Sequence, residues 1–192
     1  MSEPALSQTV YYNYTDYLSW TNGKRYELID GIPIEMTPAP SRIHQKVLGD
    51  LYNQFYNYLK DQPCEVYIAP FDVRLPGSGE QDETSSTVVQ PDLVVVCDPK
   101  KLDDRGCKGA PDLIIEVLSP ETAKKDLSVK LRLYERVGVF QYWVVHPVDK
   151  TVMVFLLDEQ DQYSKPSVFG ECDQMKVEHL NGFVIDFCSV FK

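Results

Sequence analysis

Two acidic residues lie inside otherwise apolar, strand-like segments of this 192-residue chain. Asp92 belongs to the segment 90–97, and Glu116 belongs to the segment 111–119. The apolar neighbours predict burial in a sheet, where a carboxylate without a partner costs several kcal/mol. We therefore expect Asp92 and Glu116 to share a cation or a set of donors, and pairing of their strands would build a divalent-metal site. The alternative is that each accepts backbone hydrogen bonds or pairs with a basic residue.

A lysine is the third group that such a site needs. Side chains alternate along a strand, so Glu116 and Leu118 should share a face. A compact two-carboxylate nuclease site usually has lysine two residues after the second acid, and this chain has Leu118 there. Asp126, Lys130 and Tyr134 follow at four-residue intervals on one face of a predicted helix. A lysine stem spans ~6 Å, so Lys130 could replace the strand lysine; the alternative is a surface pair with Asp126.

Two longer segments with helical periodicity must position these side chains. Residues 41–60 carry apolar residues at helical spacing, which predicts a helix of about five turns with one buried stripe. Residues 122–137 predict a second helix, ended by a glycine, with Leu127 on its buried stripe. Lys124 and Lys125 should point to solvent.

Strand patterns account for most of the remaining chain. Asp30-Gly31, between two strand-like runs, is the strongest hairpin signal. The segments around Asp92 and Glu116 are apolar enough to be central strands, and their similar entries, QPDL and APDL, are not part of a repeat array. Other predicted elements are a short helix at 15–20, a strand at 64–75 interrupted near Pro70, an exposed loop at 76–87, a surface connection or broken helical turn at 98–109, a hairpin of 140–145 with 151–157, and edge strands near 163–168 and 183–187.

The composition limits the classes of function. With 43% apolar residues the chain can bury one substantial core, so a single domain is expected. The net charge of −10 and a pI near 4.7 argue against a protein that coats nucleic acid through a general positive field. A local basic surface of Lys100, Lys101, Arg105 and Lys108 remains a candidate contact for DNA.

The cysteine, histidine and hydropathy patterns argue against further classes of site and of protein. The five cysteines have no CxxC spacing, so we expect reduced, cytoplasmic thiols and neither a disulfide framework nor a zinc knuckle. The three histidines form no ligand-spaced pair, so any metal would be held by oxygen. No apolar run approaches the ~18 residues needed to span a bilayer, and no leader pattern opens the chain. Membrane insertion and export are therefore not expected.

Several short motifs together carry a family resemblance. They are YELIDG at 26–31, His44, QPDL at 90–93, EVLSP at 116–120, Asp126, Lys130, Tyr134 and the segment 138–143. As a set they resemble the Uma2 family, also called DUF820, over roughly residues 11–157. That family belongs to the PD-(D/E)xK superfamily, which has the restriction-endonuclease-like fold.

The resemblance implies a fold and a site. The fold would be α/β (α+β), a mixed β-sheet flanked by α-helices, in one domain over 1–192 with its core at about 11–157 and C-terminal strands at 158–192. Asp92 and Glu116 would be the two acids that bind magnesium, or manganese in its place, and Lys130 would act as the migrated lysine. Glu27 and His44 would line the rim, although Glu27 could instead face solvent and His44 could be a hydrogen-bonded helix-start residue.

The function implied is metal-dependent hydrolysis of DNA phosphodiesters by a cytoplasmic endonuclease. A homodimer would suit cleavage of two strands. Leu118 in place of the usual lysine keeps open a different class, a catalytically inactive nuclease-fold module that binds or regulates. A third reading is hydrolysis of RNA or of a small phosphate ester, because nothing in the sequence specifies the polymer.

Overall fold

The two acidic segments form neighbouring strands inside a six-stranded mixed sheet. The computed structural model describes residues 10–36 and 39–192. The helices are α1 Tyr14–Ser19, α2 Arg42–Leu59, α3 Leu131–Val137 and α4 Phe187–Val190, with 3₁₀ turns at Asp82–Thr84 and Pro99–Lys101 and a π-helical turn at Lys125–Lys130. The strands are β1 Tyr26–Ile29, β2 Ile32–Glu35, β3 Glu65–Ile68, β4 Val73–Arg74, β5 Val88–Val89, β6 Leu93–Val96, β7 Leu102–Asp103, β8 Gly106–Lys108, β9 Leu113–Val117, β10 Gln141–His146, β11 Thr151–Leu156, β12 Ser167–Phe169, β13 Gln174–Lys176 and β14 Val184–Asp186.

The central sheet sets the relation between the two acids. Its strand order is β12-β11-β10-β9-β6-β3, and β9 runs parallel to β10 but antiparallel to β6. The register pairs Leu93 with Ile115, so Asp92, one residue before β6, lies opposite Glu116 of β9. Directly opposed side chains of an antiparallel pair lie on the same face of the sheet. The prediction that both acidic segments are interior strands is confirmed.

Each face of the central sheet covers a separate apolar core. Ile115 and Trp143 pack with Phe55 of α2 in one cluster. Ile114 and Tyr142 belong to the other cluster, which also contains residues of α3 and of the second sheet. The predicted alternation of β9 and the predicted helix at 41–60 are therefore confirmed, and Glu116 points to the second face.

The second six-stranded sheet has the order β2-β1-β5-β4-β8-β7. It begins with the predicted hairpin, in which β1 pairs with β2 around Asp30 and Gly31. Both turn residues have positive φ, 49° and 79°, as a two-residue hairpin turn of type I′ requires. The hairpin prediction is confirmed, and it places Glu27 of β1 in the interior with no exposed surface.

The helix predicted at 122–137 differs from expectation in its buried face. Leu127 is 39% exposed, so its place on a buried stripe was wrong. Asp126 and Lys130 are buried instead. The reason is the π-helical turn before α3, which shifts the phase of side chains relative to an α-helix. Gly138 ends the helix with a φ of 83°, as predicted.

Two connecting segments contain more structure than the sequence indicated. The segment at 98–109 begins with the helical turn Pro99–Lys101, as one of its two interpretations predicted, and continues into β7 and β8, which join the second sheet and bury Cys107. Its interpretation as a surface connection was therefore wrong in part. In the loop after β4, Asp82 pairs with the buried guanidinium of Arg74 at 2.9 Å. Glu80 accepts hydrogen bonds from the backbone N–H groups of Gly77 and Ser86. The acidic residues of this loop therefore stabilise local structure.

Two of the five cysteines form a disulfide, Cys64 with Cys97. The expectation of reduced thiols throughout is wrong for this pair. Cys64 precedes β3 and Cys97 follows β6, and the antiparallel register of these strands extends to bring the two together. Such proximity depends on strand pairing and leaves no spacing signature in the sequence. Within the described ranges, no helix combines the length and apolar character needed to cross a membrane.

Candidate active site

Asp92 is anchored through one carboxylate oxygen. Its Oδ2 accepts a hydrogen bond from the backbone N–H of Val117 at 2.8 Å and lies 3.2 Å from His44 Nε2. The side chain is 21% exposed. Its Oδ1 accepts no hydrogen bond from any residue in the described part of the chain. Asp92 thus has a fixed orientation and one oxygen available to a ligand.

The similar segments at the start of β6 and β9, QPDL and APDL, have a shared structural role. Asp112 accepts a hydrogen bond from the backbone N–H of Cys97 at 2.7 Å, as Asp92 does from Val117. Each acid thereby satisfies a backbone donor at the far end of the neighbouring strand. Only Asp92 also contacts His44 and opposes Glu116. The two aspartates therefore share an anchoring contact and differ in their access to the site.

Glu116 is buried among charged and polar groups. Its Oε1 accepts hydrogen bonds from Lys130 Nζ at 2.6 Å and from the Tyr134 hydroxyl at 3.0 Å. Burial raises the pKa of Glu116 to about 8, against the opposing effect of the Lys130 ammonium, and Asp126 and Asp92 raise it further. Because these acids lie close together, ionisation of all of them is unfavourable without an additional cation.

Lys130 links β1 to the central sheet. Its ammonium lies 2.7 Å from Glu27 Oε1 and 2.6 Å from Glu116 Oε1, and the side chain is 3% exposed. Asp126, four residues earlier, lies 3.9 Å away, but both side chains are buried, so this pair is not the surface pair of the alternative. Burial lowers the pKa of Lys130, but the Glu116 and Glu27 carboxylates outweigh that effect and hold it well above its ordinary value. The lysine is therefore a charged group inside the protein.

Glu27 is the acid that binds both lysines of the π-helical turn. Its Oε1 accepts from the backbone N–H of Gln90 at 3.2 Å, and its Oε2 lies 2.6 Å from Lys125 Nζ. Burial alone would raise the pKa of Glu27, yet Lys130 and Lys125 together lower it below its ordinary value. The expectation that Glu27 could face solvent is wrong.

Lys125 is the site residue that sequence reasoning missed. It was expected in solvent with Lys124, but only Lys124 is exposed, whereas Lys125 is 20% exposed and bonded to Glu27. A π-helix has backbone hydrogen bonds from i to i+5 and more residues per turn than an α-helix, which brings Lys125 and Lys130 toward one face. Only recognition of this turn from the sequence would have indicated Lys125.

Two buried polar atoms at the site have no hydrogen-bond partner among the described residues. They are His44 Nδ1 and Asp126 Oδ1. Burial lowers the pKa of His44, but the contact with Asp92 outweighs it and raises the pKa above its ordinary value. Burial raises the pKa of the Asp126 carboxyl. Both atoms therefore keep unused hydrogen-bonding capacity beside the acidic cluster.

The donor chemistry fits a hard divalent cation. Within residues 10–36 and 39–192, no group of three or more histidine, cysteine, aspartate or glutamate side chains is arranged to hold a metal ion. Two carboxylate oxygens remain without hydrogen-bond donors from that part of the chain, Asp92 Oδ1 and Glu116 Oε2. Magnesium commonly binds through one or two carboxylates and keeps several waters. The pair therefore suits magnesium better than a metal that needs a complete protein cage.

Comparisons with known proteins give a family match over most of the chain. The family model Uma2, described as "Putative restriction endonuclease", matches residues 14–188. The protein called "Uncharacterized protein slr1290" of Synechocystis sp. (strain ATCC 27184 / PCC 6803 / Kazusa) is 30% identical over 132 residues. That alignment covers 68% of this chain and 65% of the relative, so the chain spans just under two thirds of the relative's length.

A solved structure supports the fold. The crystal structure of a "putative nuclease belonging to DUF820" from Anabaena variabilis ATCC 29413 superposes with a TM-score of 0.72 at 17% sequence identity. The match covers 93% of this chain and 97% of that chain. At this identity the likeness concerns the fold, and it confirms the predicted mixed α+β architecture of a nuclease-like protein.

Proposed function

Because the chain belongs to the Uma2 family, we propose that it is a nuclease that hydrolyses DNA phosphodiester bonds with a divalent cation, magnesium. The observation that carries the proposal is the opposition of Asp92 and Glu116 across adjacent strands, with the Lys130 ammonium 2.6 Å from Glu116. Two acids and a lysine on one face of a sheet are the groups that phosphodiester hydrolysis needs. In this proposal Lys130 supplies from the π-helical turn the positive charge that Leu118, the residue after β9, cannot supply.

The charge balance of the site supports the cation. Four carboxyl groups, those of Glu27, Asp92, Glu116 and Asp126, surround two lysine ammonium groups, Lys125 and Lys130. When all six of these groups are ionised, the acids exceed the lysines by two negative charges, and protonation of His44 beside Asp92 would reduce that excess to one. A divalent ion would neutralise that excess and would allow a phosphate to approach.

Each residue has a distinct role in the proposed reaction. Asp92 and Glu116 would hold the metal, which when bound neutralises charge on the phosphate and lowers the pKa of water. Lys130 stabilises the negative charge that develops on the phosphate. Glu27 is a positioning residue, because it fixes Lys130 through Oε1. His44 is also a positioning residue, since it contacts the anchored oxygen of Asp92.

A non-catalytic binding module is the second candidate. The observation that favours it is the ion pair between Lys130 and Glu116, which occupies one oxygen of the proposed metal ligand. In such a module the buried charges would serve structure, and DNA would bind without cleavage. The two candidates differ in whether a divalent cation changes the covalent state of the substrate.

Nicking of supercoiled plasmid by the purified protein tests the proposed function. We expect conversion to open-circular DNA in magnesium or manganese and none in excess chelator. An RNA oligonucleotide and bis(4-nitrophenyl) phosphate, assayed in parallel, distinguish DNA from other phosphodiesters. Sedimentation of the same sample tests the proposed homodimer. Intact substrates under every cation, with DNA bound, would contradict the nuclease and support the binding module.

Lys125 should contribute to activity although Lys124 should not. We expect Lys125→Gln to lower kcat/KM on DNA about tenfold, because the half-buried ammonium beside Glu27 both fixes that acid and adds positive charge near the phosphate. Lys124→Gln removes the same charge from an exposed position one residue away and should leave kcat/KM within about twofold. Steady-state cleavage of a labelled duplex measures both. Equal effects of the two substitutions would show that only general surface charge matters.

A further inference from the structure

A groove of about 430 Å³ opens beside the candidate active site. Its lining includes Tyr67, Phe71, Asp72, Gln90 and Arg105. Its lining residue Gln90 donates from the backbone N–H to Glu27 Oε1 at 3.2 Å, and Ala69, the neighbour of the lining residue Pro70, donates to the carbonyl of Asp92 at 3.1 Å. The volume is in the range of small-ligand sites. A substrate held at Asp92 would therefore have its neighbouring groups within reach of this groove.

One side of the groove is aromatic. The rings of Tyr67 and Phe71 stack with centroids 4.3 Å apart and planes 7° from parallel, and both side chains are half-buried. The Tyr67 hydroxyl donates to Glu65 at 2.6 Å, which fixes the ring. The two rings cover each other's inner faces, so a base can stack only on an outer face of the pair, and any nucleobase can do so because every base has a π-face.

The other side offers a fixed hydrogen-bond acceptor. Asp72 Oδ1 accepts from Gln90 Nε2 at 2.7 Å and from the Tyr17 hydroxyl at 3.3 Å. The amide oxygen of Gln90 in turn accepts from Arg25 Nε at 3.1 Å, so the amide orientation is determined. Asp72 Oδ2 receives no hydrogen bond from the residues that the structure describes. A carboxylate held in this way presents one oxygen at a constant position.

The charge of the groove favours a base over a phosphate. Asp72 and Asp104 line it together with a single Arg105, while Asp103 is already paired with the buried Arg74 at 2.8 Å. A phosphate would be repelled by the free carboxylates. A neutral base with an exocyclic amino group would instead donate to the free oxygen, as cytosine N4 does to acidic side chains.

We propose that this groove binds an amino-bearing nucleobase, adenine, cytosine or guanine, of the nucleotide next to the cleaved phosphate, with the base stacked on an outer face of the Tyr67–Phe71 pair and the amino group on Asp72 Oδ2. This assignment rests on the proposed function, because the groove would then select the base at the cleavage position. Thymine presents a carbonyl where adenine and cytosine present an amino group, so it should be disfavoured.

Binding in chelator tests the groove without catalysis. Fluorescence anisotropy with labelled dA6, dC6 and dT6 should show dA6 and dC6 bound about tenfold more tightly than dT6 by the wild-type protein. Phe71→Leu keeps apolar volume and should weaken all three about tenfold by loss of stacking. Tyr56→Leu removes an exposed aromatic of α2 outside the groove and should leave all three unchanged. Asp72→Asn can present an amide N–H in place of the free oxygen and should remove or reverse the preference against dT6.

The outcomes separate the groove from the catalytic proposal. Thermal unfolding of each variant verifies that it is folded. The groove assignment is overturned if the wild type binds the three oligonucleotides equally and the folded variants Phe71→Leu and Asp72→Asn bind them with the same affinities as the wild type. This conclusion holds even if plasmid is nicked. If binding is base-selective and these variants change the selectivity, the groove assignment is supported. If the same protein cleaves neither DNA nor bis(4-nitrophenyl) phosphate, the nuclease proposal is removed.

Discussion

Asp92→Asn and Glu116→Gln are each expected to lower kcat for DNA cleavage by at least about 10²–10³-fold, with no loss of the fold. Both substitutions keep the shape of the side chain and remove the negative charge that would bind the cation. The amide oxygen introduced by Asp92→Asn can still accept the hydrogen bond from the backbone N–H of Val117, so the strand contact is preserved in that variant. Single-turnover cleavage in magnesium measures the effect, and calorimetric titration with magnesium should show weaker binding in both variants.

Asp112→Asn is the matched control for Asp92→Asn. Asp112 lies directly before β9, as Asp92 lies directly before β6, and it accepts the same type of backbone hydrogen bond, from Cys97 N. It does not oppose Glu116. Its substitution should change kcat by less than about threefold. If Asp112→Asn and Asp92→Asn reduced activity equally, the acid at position 92 would be acting through strand stability, and the metal-site assignment would be withdrawn.

The sequence was sufficient for the parts of the site that follow strand periodicity and hairpin chemistry. Asp92 and Glu116 interrupt apolar strands, and their opposition follows from the pairing of those strands. Asp30-Gly31 fixed the first hairpin because only certain residues accept two consecutive positive φ angles. These features are local, or depend on one pairing between central strands.

The features that could not be predicted depend on helix phase or on long-range contact. Leu127 was assigned to the interior and Lys125 to solvent because α-helical spacing was assumed, and the π-helical turn changed both. The Cys64–Cys97 disulfide depends on the register of β3 with β6, which no spacing in the sequence reveals. The interior position of Glu27 similarly required the second sheet to pack against the π-helical turn.

Lys130 is expected to have the largest effect on stability of any single lysine at the site. Lys130→Met should lower the free energy of unfolding by about 3–5 kcal/mol, because Glu27 and Glu116 would lose the buried cation that they share. Urea denaturation at neutral pH measures the change. Lys24→Met removes an exposed ion pair with Glu35 and should cost less than about 1 kcal/mol.

A second substitution distinguishes the loss of a counter-ion from the loss of packing. If Lys130→Met destabilises because the buried Glu27 keeps only the partly exposed Lys125 as counter-ion, then Glu27→Gln in the same chain should recover part of the lost stability, since the neutral amide needs no cation. If the cause is a poor fit of the methionine, the second change should add a further cost. Neither variant should regain DNA cleavage, because the charge on Lys130 is what the phosphate requires. Recovered stability without recovered activity would thus separate the structural contribution of the ammonium from its chemical one.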